Sequence, residues 1–281
     1  MSLPTQVGVY GGGRMGAGIA HVFATGGCDV TVIEADEAAV DAARTRITAS
    51  LAKGGNGAVP GRLTVVADAS ELSGCGLVIE AVPEDPSLKA AVLATMERAA
   101  PDAWLASNTS SLSIDELAGV LRRPDRLVGL HFFNPVPVSE LVEIVVGAAT
   151  ADALVERARS WVAALGKVAI VVQDSPGFAS SRLGLAIALE AMRMLEEGVA
   201  SAEDIDTAMT SGYRHRTGPL RTTDIVGLDV RLAIAEHLAQ QIGVRFDPPE
   251  ILRDKVAAGH TGRKAGQGFY NWNPTASTSH K

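Results

Sequence analysis

The chain is short of cysteine, of positive charge and of long hydrophobic runs. Among its 281 residues only Cys28 and Cys75 are cysteines. Their spacing matches no metal or redox motif, so no disulfide framework or zinc module is expected, and reduced thiols fit a cytoplasmic protein. The formal net charge is −7, which withholds the electrostatic attraction that nucleic-acid binding needs. No apolar run reaches the ~18 residues of a membrane span, and no signal peptide precedes the first candidate strand. What is there is the composition of a globular protein with a substantial core: 47% hydrophobic and 20% charged residues. The length suits one large or two medium domains. The last eight residues, 274–281, read as a frayed tail.

Up to about residue 175, short β-rich runs alternate with helical patterns. Candidate strands are Gln6–Tyr10, Val30–Glu34, Leu63–Val66, Leu77–Glu80, Trp104–Ser107, Leu127–His131, Leu141–Val146 and Val168–Val172. Helical patterns cover Met15–Thr25, Ala38–Ala52, Ser87–Ala99 and Ala153–Leu165. Such alternation predicts an α/β domain with a mainly parallel sheet and helices on both faces. Beyond Asp174-Ser175-Pro176-Gly177 the strands give way to helices: Phe178–Glu197, closed by Gly198, then Leu220–Ile242 and Pro248–Ala258. The chain is therefore divided at 176 into an α/β domain, 1–176, and an all-helical domain, 177–281.

The first strand runs into Gly11-Gly12-Gly13-Arg14-Met15-Gly16. Gly11-x-Gly13-x-x-Gly16 between a strand and a helix is the phosphate-binding turn of a Rossmann-type, doubly wound sheet. Gly11 makes the turn, Gly13 admits the pyrophosphate, and Gly16 lets the helix pack on the strand; Gly12 is read as an extra glycine at a variable position. The helix from Arg14 and Met15 offers free N–H groups to the phosphates. The second strand ends in Glu34, eighteen residues after Gly16, where a carboxylate accepts ribose hydroxyls and repels a 2′-phosphate; this favours NAD over NADP. Asp36 is the neighbouring alternative acid.

His131 and Glu143 lie at the ends of two apolar runs, twelve residues apart. An imidazole and a carboxylate in a chain with a dinucleotide turn point to hydride transfer coupled to proton transfer. Around them stand further motifs: Val78-Ile79-Glu80-Ala81-Val82-Pro83-Glu84, Ser107-Asn108-Thr109-Ser110-Ser111-Leu112, His131-Phe132-Phe133-Asn134-Pro135-Val136-Pro137, Asp174-Ser175-Pro176-Gly177-Phe178, and Gly262-Arg263-Lys264-Ala265-Gly266-Gln267-Gly268-Phe269-Tyr270. With the glycine turn, and in this order, they resemble the L-3-hydroxyacyl-CoA dehydrogenase family of the short, single-function type, over nearly the whole chain. The resemblance implies that His131 is the general base, that Glu143 orients it, and that Ser110 and Asn134 hold the reacting oxygen. It places Glu84, Lys89 and Asn108 at the cofactor site, and implies a homodimer built on the helical domain. Read alone, Ser110 is a loop hydroxyl and Lys89 part of a solvated helix face. Ser113 with Glu116 reads as a helix-capping pair.

Two departures stand out. The family's usual Asn after Pro-Gly-Phe is Ser181 here, a shorter substrate contact. The basic helical excursion after the second strand is cut short around residues 51–61, leaving Lys53 and Arg62 as phosphate contacts to CoA. A thioester on an acyl-carrier protein is therefore the alternative substrate. A branch sharing the fold acts on sugar acids or serves as a structural, crystallin-like NAD-binding protein; Phe132 and Phe133 favour the acyl-thioester branch. The basic cluster Arg214, His215, Arg216 and Arg221 reads either as solvated loop charge or as a wall of the acyl pocket.

Overall fold

The computed structural model describes residues 2–53 and 59–273. The tail at 274–281 and residues 54–58 of the shortened excursion lie outside them. The chain divides into two compact units, Met1–Phe178 and Ala179–Lys281, two residues beyond the change in sequence pattern.

In the first unit eight strands form one sheet: β1 (Gln6–Tyr10), β2 (Asp29–Ile33), β3 (Leu63–Val66), β4 (Leu77–Glu80), β5 (Trp104–Ser107), β6 (Leu127–Phe132), β7 (Leu141–Val146) and β8 (Val168–Gln173), in the spatial order β3-β2-β1-β4-β5-β6-β7-β8. The order reverses at β1, as in a doubly wound nucleotide-binding sheet. Side chains alternate between faces. Val7, Val9, Leu77, Ile79, Val128, Leu130, Val142 and Ile144 join one core with α1 (Arg14–Thr25), α2 (Glu37–Lys53) and α5 (Asp152–Ala164). Val78, Leu105, Leu127 and Val145 face the other, with α3 (Pro86–Ala99) and the short α4 (Ile114–Ala118). Burying each such side chain contributes about 1.5–3 kcal/mol. Ser113 caps α4 by accepting from the Glu116 N–H at 3.2 Å, and its hydroxyl donates to Asp174.

One pairing departs from the parallel pattern: β6 and β7 are antiparallel. The connection between them spans only residues 133–140. A parallel crossover needs a dozen residues or more, so a link this short closes a hairpin.

The second unit is helical: α6 (Ser180–Glu196), α7 (Ala202–Thr207), α8 (Pro219–Val226), α9 (Leu228–Ile242) and α10 (Glu250–Ala257). The single helix expected over 220–242 is two. Gly227 breaks it with φ 111°, a conformation that L side chains resist. In the single chain α6 is buried on one side. Leu185, Leu189 and Met192 enter the core of this unit, whereas Leu183 is 65% and Ile187 38% exposed. Asp224, fully buried, accepts from Phe269 N–H, Tyr270 N–H and the Trp272 indole, which explains the glycine-rich turn at 262–268: a Cβ at Gly268 would collide with that carboxylate.

Candidate active site

The glycine turn has the close approaches that its spacing predicts. Gly11 has φ 97°, and a Cβ on Gly16 would stand 1.7 Å from the Gly11 carbonyl oxygen. Over Gly13 nothing lies within 4 Å, leaving the space that a pyrophosphate requires beside the first N–H groups of α1. Gly12 is not a free position. A Cβ there would stand 2.5 Å from that of Ala43, and its N–H donates to Glu34 Oε1 at 2.7 Å. Glu34 is thus held against the turn, at the tip of β2. Asp36 instead accepts from the Ala39 N–H at the start of α2. These residues fit a dinucleotide. Arg46, which sequence reasoning passed over, donates to the Gly12 carbonyl at 3.3 Å.

At the β6–β7 hairpin, His131 and Glu143 are direct partners in register. They lie on the face opposite Leu130 and Ile144, by the alternation of the strands. His131 Nδ1 is 2.7 Å from Glu143 Oε2, with His131 6% and Glu143 0% exposed. A carboxylate accepts only, so Nδ1 carries the hydrogen and the neutral ring keeps its lone pair on Nε2. Two aromatic rings flank the imidazole: Phe133 at 4.4 Å and Phe178 at 5.8 Å between centroids. Phe178 was expected to open the second-unit helix. It stands instead before that helix, buried, with φ 48°.

Beneath the site lies a buried charge cluster. Lys89 is 1% exposed; its Nζ donates to Glu80 Oε1 at 2.6 Å and to the Val82 carbonyl at 3.1 Å, and lies 3.3 Å from Glu84 Oε2. The reading of Lys89 as a solvated helix face is therefore wrong: its ammonium is drawn into the sheet by two carboxylates. Glu80, fully buried, also accepts from the Ser107 hydroxyl. Sequence reasoning left Glu80 out of the site, although an acid ending an apolar strand was the signal. Glu84 accepts from the Thr109 hydroxyl, both N–H and hydroxyl of Ser110, and both N–H and hydroxyl of Ser111. Burial pushes its carboxyl up, but the Lys89 ammonium and these hydrogen bonds outweigh it and hold the pKa below the ordinary value.

A cavity of about 360 Å³ brings together Met15, Glu84, Lys89, Asn108, Ser110, His131 and Asn134. Asn108 uses its side-chain oxygen to accept the Phe132 N–H, tying the loop after β5 to the end of β6. A second cavity, of about 1110 Å³, is lined by Arg14, Arg46, Ser50, Lys53, Asn134 and Lys167 among others. Arg14 and Lys53 belong to this larger space and not to the one around His131; Asn134 lines both. Lys167 donates to the carbonyls of Val136 and Ser139, fixing the turn that carries Asn134. Arg62 pairs with Asp29 and the Gly27 carbonyl. In the helical unit Ser181 sits in the first turn of α6. Of the basic cluster there, Arg221 stacks on the rings of Tyr270 and Trp272, and Arg214 and Arg216 are exposed.

The model of the 3-hydroxyacyl-CoA dehydrogenase NAD-binding domain matches residues 6–175, and that of the C-terminal domain of the same enzymes matches residues 177–272. The chain belongs to the 3-hydroxyacyl-CoA dehydrogenase family. It is an oxidoreductase of that family, and the dinucleotide turn lies within the matched NAD-binding domain. A 3-hydroxybutyryl-CoA dehydrogenase of Mycobacterium tuberculosis is 42% identical over 280 residues, covering 95% of this chain and 98% of that one. A probable 3-hydroxybutyryl-CoA dehydrogenase of Bacillus subtilis is 38% identical over 278 residues, covering 95% and 97%. Among solved structures, the (S)-3-hydroxybutyryl-CoA dehydrogenase of Ralstonia eutropha superposes with a TM-score of 0.91 at 36% identity, covering 96% of this chain and all of that one. Among the described residues no helix is long and apolar enough to cross a membrane.

Proposed function

We propose that the protein oxidises L-3-hydroxyacyl thioesters of the 3-hydroxybutyryl-CoA type to 3-oxoacyl thioesters with NAD, or runs the reverse reduction. The observation that carries this reading is the His131–Glu143 contact of 2.7 Å in a cavity shared with Ser110 and Asn134. Nε2 of His131 takes the proton of the C3 hydroxyl while the C3–H electron pair leaves as hydride and the C3–O bond becomes a carbonyl. NAD, when bound, would supply the hydride acceptor. The Ser110 hydroxyl and the Asn134 amide hold the reacting oxygen, and Glu143 stabilises the imidazolium that forms. In reduction the imidazolium returns the proton. Glu84 and Lys89 present an ion-paired, hydrogen-bonded wall on the cofactor side, where Met15 and Asn108 also line the cavity.

Glu34, already fixed on the Gly12 N–H, supports NAD over NADP, because a 2′-phosphate there would meet a carboxylate. The larger cavity supports CoA over a carrier-protein thioester: Arg14, Arg46 and Lys53 supply the positive charge that a nucleotide end requires and a bare pantetheine arm does not. In the helical unit Ser181 takes the place of the usual amide as a substrate contact. The exposed Leu183, Ile187, Val226 and Val230 on its helices support a homodimer made through that unit. Loss of NADH absorbance on adding acetoacetyl-CoA tests the reading; a protein that binds NADH but shows no turnover of that thioester would overturn it.

A further inference from the structure

A second buried imidazole has no part in the chemistry at His131. His21 lies on α1, 4% exposed, and lines the larger cavity. Arg14, Gly18, His21 and Thr25 follow one another at the three- and four-residue steps that share a helix face, as do Arg46, Ser50 and Lys53 on α2. Both stripes line the cavity. A Cβ on Gly18 would collide with Val136, so the turn at Pro135–Val138 comes down against α1 and supplies a further wall. All of these residues belong to the first unit.

One nitrogen of the ring is engaged and the other is not. His21 Nδ1 is 2.7 Å from the Ser50 hydroxyl. Among the described residues Nε2 has no hydrogen-bond partner, yet it is not a sealed atom. A bridge from α1 to α2 needs only the first nitrogen. The charged groups that line the cavity with His21 are Arg14, Arg46, Lys53 and Lys167; among the described residues no carboxylate does. Lys167 is tied to the Val136 and Ser139 carbonyls. Burial, and then the Lys167 ammonium, hold the imidazole below its ordinary pKa. The ring is therefore neutral near pH 7, and it becomes a cation when negative charge arrives beside it.

We propose that His21 is a phosphate-selecting residue that takes up a proton as the nucleotide end of a CoA thioester enters, so that the preference for CoA over a phosphate-free pantetheine thioester strengthens as pH falls. The inference rests on the reading of the larger cavity as the CoA site. Arginine and lysine attract phosphate throughout the neutral range, whereas an imidazole adds its charge only to the complex. Binding is then strongest below the pKa of the free ring and weakens as pH climbs through that of the complex.

The test is titration calorimetry of free CoA, of pantetheine and of NADH into the wild type and His21→Gln, between about pH 6.5 and pH 8 and in buffers of different ionisation enthalpy. The wild type should take up more protons per CoA bound than the variant, and its Kd for CoA should rise by about tenfold more across that range. Pantetheine, which has no phosphate, and NADH, whose phosphates belong over Gly13, should show no such difference between the two proteins. Should the variant fold poorly, proton NMR of the His21 C2–H in the wild type reads the same event: its pKa should rise on adding CoA and not on adding pantetheine. Equal proton uptake by both proteins, or a His21 titration that CoA leaves unmoved, overturns the proposal, as does the same uptake with pantetheine. If CoA does not bind, the CoA reading of the cavity falls and the proposal with it. His21-linked binding of CoA without turnover of acetoacetyl-CoA would uphold the proposal and overturn the dehydrogenase reading instead.

Discussion

A histidine that gives Nδ1–H to a carboxylate has one nitrogen left for chemistry, and the consequences can be measured residue by residue. His131→Ala should lower kcat by about 10² to 10⁴. Glu143→Gln should lower it by at least about 10², and the double variant should be little worse than His131→Ala, since the two act as one unit. Fully additive losses would separate Glu143 from the imidazole. NAD affinity should stay nearly constant in all three, because neither residue touches the glycine turn. Glu34→Ala should narrow the preference for NADH over NADPH, measured as a ratio of kcat/KM; equal wild-type efficiency with both would remove Glu34 from that role. The places of these candidates were legible in the sequence because His131 and Glu34 stand at strand ends and Glu143 lies inside the next apolar run. Phe178 was not. Its left-handed backbone follows from the preceding Gly177 turn and the ring's burial beside His131, neither of which periodicity records.

At the scale of elements, α3 is anchored to the sheet by Lys89 as well as by apolar packing. Removing one partner of a buried ion pair leaves an uncompensated charge, so Lys89→Met should cost about 3–5 kcal/mol, read from the urea midpoint. A loss under about 1 kcal/mol would mean that Glu80 and Glu84 find solvent or other donors. The helix pattern was legible nearly to its ends: α2 and α3 each begin one residue earlier than the periodicity placed them. The break at Gly227 escaped because apolar spacing continues through it from Leu220 to Ile242. The interruption is a backbone event, φ 111°, that composition shows only as one more glycine. The antiparallel turn of β6 into β7 was hidden by the strand-helix rhythm around it, although the eight-residue link (133–140) carried the information.

For the whole molecule, the two thiols report on how tightly the sheet unit holds together. Burial pushes Cys28 up to about 11, with Asp29 adding to the effect and Arg62 opposing it; burial does the same to Cys75, also to about 11. Each raised pKa adds stability that is complete below the ordinary thiol value and is lost as pH climbs through the folded one. Stability should therefore fall between about pH 9 and pH 11 by more than in a Cys28→Ala/Cys75→Ala variant. At pH 8 both thiols should resist an alkylating reagent until the protein is unfolded; rapid labelling of the native protein would contradict the burial. The division into an α/β part and a helical part was readable from the change of period near 176. What the sequence could not tell is which apolar helical positions stay uncovered. Leu183 and Leu185 are the same residue two places apart, and only the fold exposes one and buries the other. The exposed set predicts a dimer in sedimentation at micromolar concentration, and a monomer there would count against it.

Because Glu143 meets His131 through strand register, the pair tolerates some changes of length and not others. Residues added to the turn beyond Asn134 leave the ladder and the His131–Glu143 pair intact. A single residue inserted within β7, ahead of Glu143, shifts every later side chain to the opposite face. Such an insertion would hand the histidine Val142 or the inserted residue in place of its acid while leaving the chemical composition of the hairpin almost untouched. The spacing between Leu141 and Glu143 therefore fixes the pair as firmly as the identity of either partner.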